Sequence, residues 1–300
     1  MKQVLVIGGV STDPADVDEI TAFTAGVHSH AGDAAVQFAH LDQLQFVFAP
    51  GDFRVFDANN NCPLSDYNLV ILRSKMRTYA TLAYCLSRYL TNAGIPFFND
   101  YSTYFTGTKL GQTVLFYEQR VPFLKTVYSL HPDLLVAAAE QELGLPFILK
   151  DSRGAQGKAN YLVHSLDEAR SILASGPDMQ FLAQEYCPTD RDYRVLIAGG
   201  ANMVFSRQGN LDTHLHNTSQ GASARVATDE LPESVIADAR KLARRLGLST
   251  AGIDVIPGSR EHGAAFYFLE INSQPQIFTG TLLPEKAALF ERFIARHLGQ

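Results

Sequence analysis

Residues 146–163, PFILKDSRGAQGKANYLV, carry the fold. Phe147 to Leu149 form an apolar run that opens at Pro146 and ends on Lys150. Asp151 to Lys158 is small, polar and glycine-bearing, and Tyr161-Leu162-Val163 is apolar again. Two short strands around such a stretch read as a hairpin with a long tip. An ammonium at the strand end, beside a loop rich in backbone N–H groups, suits anionic phosphates. A Walker loop is excluded, because that motif needs a helix after its lysine and Ala159-Asn160-Tyr161 returns to a strand. A lysine at a strand end is also an ordinary surface residue, so the reading needs support from elsewhere in the chain.

Downstream, Phe181 to Tyr186 (FLAQEY) is a further strand, and Tyr193 to Ile197 and Asn202 to Ser206 are two more, joined by Gly199-Gly200. That turn makes the last two antiparallel and brings Arg194 and Arg207 onto neighbouring strands. Guanidinium groups there hold a phosphoryl group or carboxylate by bidentate contacts, or serve as structural ion-pair partners on the sheet. Pro232 to Leu246 is an amphipathic helix stopped by Gly247. Strands Ala251 to Ile256 (AGIDVI) and Ala265 to Ile271 follow, and an amphipathic helix through Leu289 and Phe293 closes the chain.

Asp254 lies in AGIDVI, and Glu270 and Asn272 lie in FLEINSQPQI. Glu270 and Asn272 are two apart on one strand and share a face. If the two strands pair, Asp254 joins them, and three oxygen ligands converge on a hard cation. Asp and Asn also end strands and start turns for purely local reasons. Glu270 fits that reading poorly, because an acid among Phe268, Leu269 and Ile271 is costly to bury alone.

Upstream, Val4 to Ile7, Phe46 to Phe48, Tyr67 to Leu72 and Ile95 to Phe98 read as strands, with a helix from Tyr79 to Leu90. Strand–helix alternation implies a doubly wound α/β lobe over about the first hundred residues. Gly8-Gly9 opens GGVSTD, which lacks the GxGxxG dinucleotide fingerprint, so a tight turn is the simpler reading and a nicotinamide dehydrogenase is not supported. The net charge of −6 excludes a generally basic nucleic-acid surface while allowing a local cationic pocket. Cys62, Cys85 and Cys187 have no zinc-like spacing and suit a reducing setting. The apolar N-terminal run is too short for a membrane span, and acidic residues follow it, so a cytoplasmic location is expected.

The ordered set of lysine strand, glycine-rich tip, QEY strand, arginine strands, NTSQGASA and then D…ExN resembles the ATP-grasp superfamily. More closely it resembles RimK-type ligases. TGTKLGQ and VPFLKTV belong to the same set, which covers roughly Thr106 to Gly280. The resemblance implies an ATP-grasp fold: an α/β pre-grasp domain over 1–105, a central lid subdomain over 106–188 and an α+β subdomain with the metal site over 189–300. It implies an ATP-dependent carboxylate–amine ligase that forms an acyl phosphate and releases ADP and phosphate. Two rivals stay open: an ATP-grasp phosphotransferase without amine ligation, and a non-catalytic nucleotide- or peptide-binding scaffold.

By the same resemblance, Lys109 and Lys150 contact ATP phosphates, and Gln156 and Gly157 belong to the lid. Gln184, Glu185 and Tyr186 line adenine, with Glu185 or Asp192 reaching the ribose. Arg194 and Arg207 hold the substrate carboxylate or acyl phosphate, and Asn217 lies in the substrate loop. Asp254, Glu270 and Asn272 ligate magnesium, with manganese as an alternative. The expected partners are a small-molecule or peptide carboxylate and an amine, with no nucleic acid or membrane; a homo-oligomer is compatible with the sequence. His214 and His216 are either active-site neighbours or polar surface. The chain departs from the RimK pattern at Gln220-Gly221-Ala222 and at Ser273-Gln274-Pro275-Gln276, both where substrate would be gripped.

Overall fold

The computed structural model describes residues 1–49, 52–102, 107–154, 159–176, 179–208, 223–258 and 264–298. Its first sheet is parallel, in the order β2 (Ala35–Ala39), β1 (Gln3–Ile7), β6 (Leu69–Leu72), β7 (Phe97–Phe98). The continuous apolar run of β1 follows from burial on both faces. Val4 and Val6 pack with Ile20 and Val27 of α1 (Pro14–His30), while Leu5 and Ile7 pack with Leu86 and Leu90 of α2 (Ala80–Ala93). Gly94 ends α2 in the left-handed conformation (φ 67°), as its position after the apolar repeat implies.

One expected strand of this sheet lies elsewhere. Phe46 to Phe48 falls in β3 (Leu44–Ala49), which pairs antiparallel with β4 (Asp52–Asp57) and, through it, with β5 (Cys62–Pro63) in a separate small sheet. Too few residues separate β3 from β4 for the crossover that parallel pairing requires. The sheet position is taken instead by β2, whose half-buried AVQFA gives little apolar signal.

The hairpin strands β9 (Phe147–Asp151) and β10 (Asn160–Val163) form an antiparallel sheet in the order β10-β9-β11-β8, with β8 (Thr126–Tyr128) and β11 (Phe181–Glu185). Phe147 and Leu149 point into a core with α4 (Pro132–Glu142) and α5 (Leu166–Ser175). Alternation sends Ile148 and Lys150 to the other face.

The third sheet runs β14 (Ser223–Val226), β13 (Ala201–Gln208), β12 (Arg191–Ala198), β15 (Thr250–Pro257), β16 (Phe266–Asn272), antiparallel throughout. One face (Val195, Val204, Ile253, Val255, Ile271) buries against α6 (Glu233–Arg245) and α3 (Lys109–Gln119). The segment around α3 thus packs on this sheet rather than on the hairpin sheet it precedes. The opposite face is divided. Leu196, Ala198, Met203 and Phe205 pack against α1 and α7 (Leu283–Leu298), which joins the sheet to the first lobe. The rest of that face is ionic. Among the described residues no helix is long and apolar enough to cross a membrane.

Candidate active site

The ionic end is built by strand register. Arg194 pairs with Asp254 across β12 and β15, Asp254 pairs with Glu270 across β15 and β16, and Gly252 pairs with Asn272. Directly opposed residues share a face, so the expected convergence of Asp254, Glu270 and Asn272 is found. It depends on a bulge. Val255 pairs with Phe268 and Asp254 with Glu270, leaving Leu269 as the extra residue on β16. Simple alternation would put Phe268 and Glu270 on one face. The bulge sends Phe268 into the apolar core with Val255 and turns Glu270 to the acid side.

The arginines are ion-paired. Arg194 Nε and Nη2 donate to the two carboxylate oxygens of Asp254 at 2.6 and 2.7 Å. Arg207 is bidentate to Asp192 at 2.7 and 2.6 Å and reaches Asp254 Oδ1 at 3.1 Å. Burial pushes the Asp254 carboxyl up, but Arg194 and Arg207 outweigh it and hold the group below the usual carboxylate range. Gly252 makes the pair possible, since a Cβ there would come within 3.2 Å of both Arg194 Cδ and Pro275 Cβ. Asp192 is buried with both oxygens on Arg207, so of the two acids expected near a ribose, Glu185 is the one on a half-buried strand end.

Lys150 meets this face from the hairpin sheet and Lys109 from the first turn of α3. Lys150 is buried and donates to Gln184 Oε1 at 2.7 Å, while Gln184 Nε2 donates to Thr126 Oγ1 at 2.9 Å. Gln184 is therefore a ligand of the lysine as well as a strand residue. Burial, then the charge of Lys109, lowers Lys150 to about 8 against the pull of Glu270. Lys109 Nζ lies 3.9 Å from Glu270 Oε1 and also donates to Gly154 O in the hairpin loop. Lys109, Lys150 and Glu270 thus form one electrostatic group spanning two sheets.

Gln112, whose role no local pattern marks, explains how Lys109 arrives there. Its amide donates to Ile271 O at 3.0 Å and accepts from Ile271 N at 2.8 Å, so α3 docks on the open edge of β16 one residue from Glu270. Arg77, donating to Ile271 O at 3.2 Å, and Arg73, donating to Pro275 O at 3.4 Å, tie the first lobe to β16 and the loop after it. Arg73 lies at the carboxyl edge of the parallel sheet with its guanidinium 4.2 Å over the ring of Phe23. A basic residue after a buried strand is the signal that could have found it. Tyr186 follows β11 half-buried. Gln156, Gly157, His214, His216 and Asn217 lie outside the described residues.

A RimK-like ATP-grasp domain model matches residues 107–282, which include every element just described except the first lobe and α7. The chain belongs to the RimK-like ATP-grasp family. A probable alpha-L-glutamate ligase of Alkalilimnicola ehrlichii is 29% identical over 175 residues, 56% of this chain and 55% of that protein. The aligned stretch thus spans about half the length of that relative. Among solved structures, a Chryseobacterium gregarium RiPP-associated ATP-grasp ligase, in complex with ADP and a leader and core peptide, superposes with a TM-score of 0.69 at 14% identity, covering 100% of this chain and 97% of that one. D-alanyl-alanine synthetase A of Vibrio cholerae superposes with a TM-score of 0.68 at 14% identity, covering 99% and 97%. At such identities these likenesses establish the ATP-grasp fold, including the first lobe that the sequence matched only in its α/β character.

The donor chemistry of this ATP-grasp site fits a magnesium ion. Asp254, Glu270 and the Asn272 carbonyl are oxygen ligands on one face, and Asn272 Nδ2 already donates to Asp254 Oδ2 at 3.3 Å, which leaves its oxygen available. Among the described residues no group of three or more His, Cys, Asp or Glu could hold a metal. Two acids are what an ion shared with a nucleotide's phosphates needs. The obstacle is Arg194 and Arg207, which now neutralise Asp254.

Proposed function

We propose that this protein is an ATP-dependent carboxylate–amine ligase, forming an amide through an acyl phosphate with release of ADP and phosphate. The observation that carries the reading is the opposed pair Asp254 and Glu270, with Asn272, facing the buried Lys150 and Lys109 of the neighbouring elements.

Each residue's part follows from its charge and position. Lys150 and Lys109 bind the nucleotide's phosphates, and the arriving anion stabilises the Lys150 charge that burial disfavours. Gln184 orients Lys150; Glu185 and Tyr186 border the adenosine. Asp254, Glu270 and Asn272 hold magnesium, which would neutralise the repulsion between an incoming carboxylate and the γ-phosphate. Arg194 releases one oxygen of Asp254 and turns to the transferred phosphoryl group or the acyl phosphate. Arg207, buried and bidentate on Asp192, positions Asp254 and Arg194 rather than touching substrate. The lid role expected of Gln156 and Gly157 and the substrate-loop role expected of Asn217 fall on residues outside those described. The carboxylate substrate is an amino acid or peptide. The glutamate-ligase relatives and the peptide-bound structural neighbour support those two classes.

ADP release measured against acids, amines and short peptides tests the reading, with hydroxylamine as the trapping nucleophile. A hydroxamate is expected wherever an acid drives ADP release. ADP release with a phosphorylated alcohol and no hydroxamate would identify a phosphotransferase, and magnesium-dependent ATP binding with no turnover would identify a scaffold.

A further inference from the structure

The loop after β16, Ser273 to Leu282, is bordered by two cations of the same sheet end. Arg194 packs beside Pro275, both within 3.2 Å of where a Gly252 Cβ would lie. Lys286, in the first turn of α7, sits beneath the other end of the loop, 3% exposed, and donates to Thr279 O at 2.6 Å. Gly280, at φ 76°, brings bare backbone up to this ammonium: a Cβ there would lie 3.9 Å from Lys286 Nζ.

Three effects oppose a charge on Lys286. Its side chain is buried, it lies at the positive end of the α7 dipole, and Arg194 adds like charge. Burial, then Arg194, lowers it to about 8. Arg194 and Arg207 each have a carboxylate partner, whereas among the described residues Lys286 has none. One backbone carbonyl uses one of its three donors. A buried cation left in this state beside the reacting centre is matched to an anion that arrives from outside.

We propose that Lys286, together with Arg194, forms the subsite that grips the carboxylate of the organic-acid substrate, with the loop 273–282 as its wall. This rests on the ligase reading above and adds a residue from α7, beyond the matched family domain. The loop that carries Thr279 and Gly280 over the ammonium is the one that begins with the Ser273-Gln274-Pro275-Gln276 departure.

The test is thermal melting of wild type, Lys286→Met and Lys286→Arg, titrated with glutarate, its neutral diamide and inorganic phosphate. A parallel titration uses magnesium and a non-hydrolysable ATP analogue. Glutarate should raise the wild-type melting temperature, the diamide should not, and the affinity for glutarate should fall about tenfold or more in Lys286→Met. Lys286→Arg should keep the glutarate response, and Lys286→Met without ligand should melt at or above wild type. Lys286→Met melting well below wild type would identify a structural clamp and overturn the proposal. So would equal responses to glutarate in both proteins, no response in either, or a response to phosphate alone. The nucleotide arm separates the two ideas: a wild type that answers glutarate but not the ATP analogue sinks the ligase reading and leaves the anion subsite standing.

Discussion

The buried charges of the hairpin sheet and of the C-terminal sheet are handled in opposite ways. In the C-terminal sheet, Asp192, Arg207, Asp254 and Arg194 satisfy one another through two bidentate pairs and a cross-link. In the hairpin sheet, Lys150 has a neutral amide, Gln184, as its hydrogen-bond partner, and Lys109 lies close enough to oppose its charge. The first arrangement is a closed network, stable without ligand. The second is a cation held short of compensation, which an arriving polyanion would supply. On the proposed reading the lysine side awaits phosphate, while Arg194 and Arg207 cap Asp254 on the acid side.

The largest effect is expected from breaking the closed network. Asp254→Asn leaves Arg194 facing a neutral amide and Arg207 with Asp192 as its remaining acid. It should lose about 3–5 kcal/mol of stability in urea unfolding, along with ATP turnover. Glu270→Gln sharpens the contrast, because among the described residues the ion pair of Glu270 is a long one, 3.9 Å to Lys109. Folding should survive while ATP turnover falls by about a hundredfold to a thousandfold, the loss typical when one positioned electrostatic group is removed. Wild-type turnover in that variant would end the metal assignment.

Lys150 gives the contrast a pH signature. Its folded-state value, about 8, lies below its ordinary 10.5. In the ligand-free protein this group opposes folding below pH 8, and the opposition fades as pH rises towards 10.5. Nucleotide binding needs the proton and raises the folded value. ATP-analogue affinity should accordingly fall by up to about tenfold per pH unit above pH 8, read by calorimetry in wild type and lost in Lys150→Met. The smallest effect belongs to an exposed pair outside both networks. Arg170 bonds Asp167 at 2.9 Å on α5 with both side chains largely exposed, so Arg170→Ala should cost no more than about 0.5 kcal/mol.

Much of this was legible in residue order. The β1 run, the Gly94 stop, the hairpin around Lys150 and the antiparallel turn at Gly199-Gly200 rest on local rules of alternation and capping, and the structure reproduces them. The strand β2 escaped notice because a half-buried edge strand needs few apolar residues. Phe46 to Phe48 is a strand, as its composition implies, but pairs outside the parallel sheet, because pairing partners are not encoded in a strand's own composition. The convergence of Asp254, Glu270 and Asn272 was inferable from two-residue spacing, whereas the docking of Gln112 on β16 and the burial of Lys286 were not.

By itself the sequence determined the elements, their order and the presence of acids and lysines at strand ends, since these follow from short-range periodicity and turn chemistry. Tertiary structure alone decided which arginine neutralises which aspartate, how the bulge at Leu269 turns Glu270 away from the core, and that Lys286 is buried with no carboxylate partner among the described residues. The physical reason is that electrostatic compensation acts through space: a charge's cost depends on what other strands and helices bring within a few ångströms of it, and no spacing along the chain records that distance.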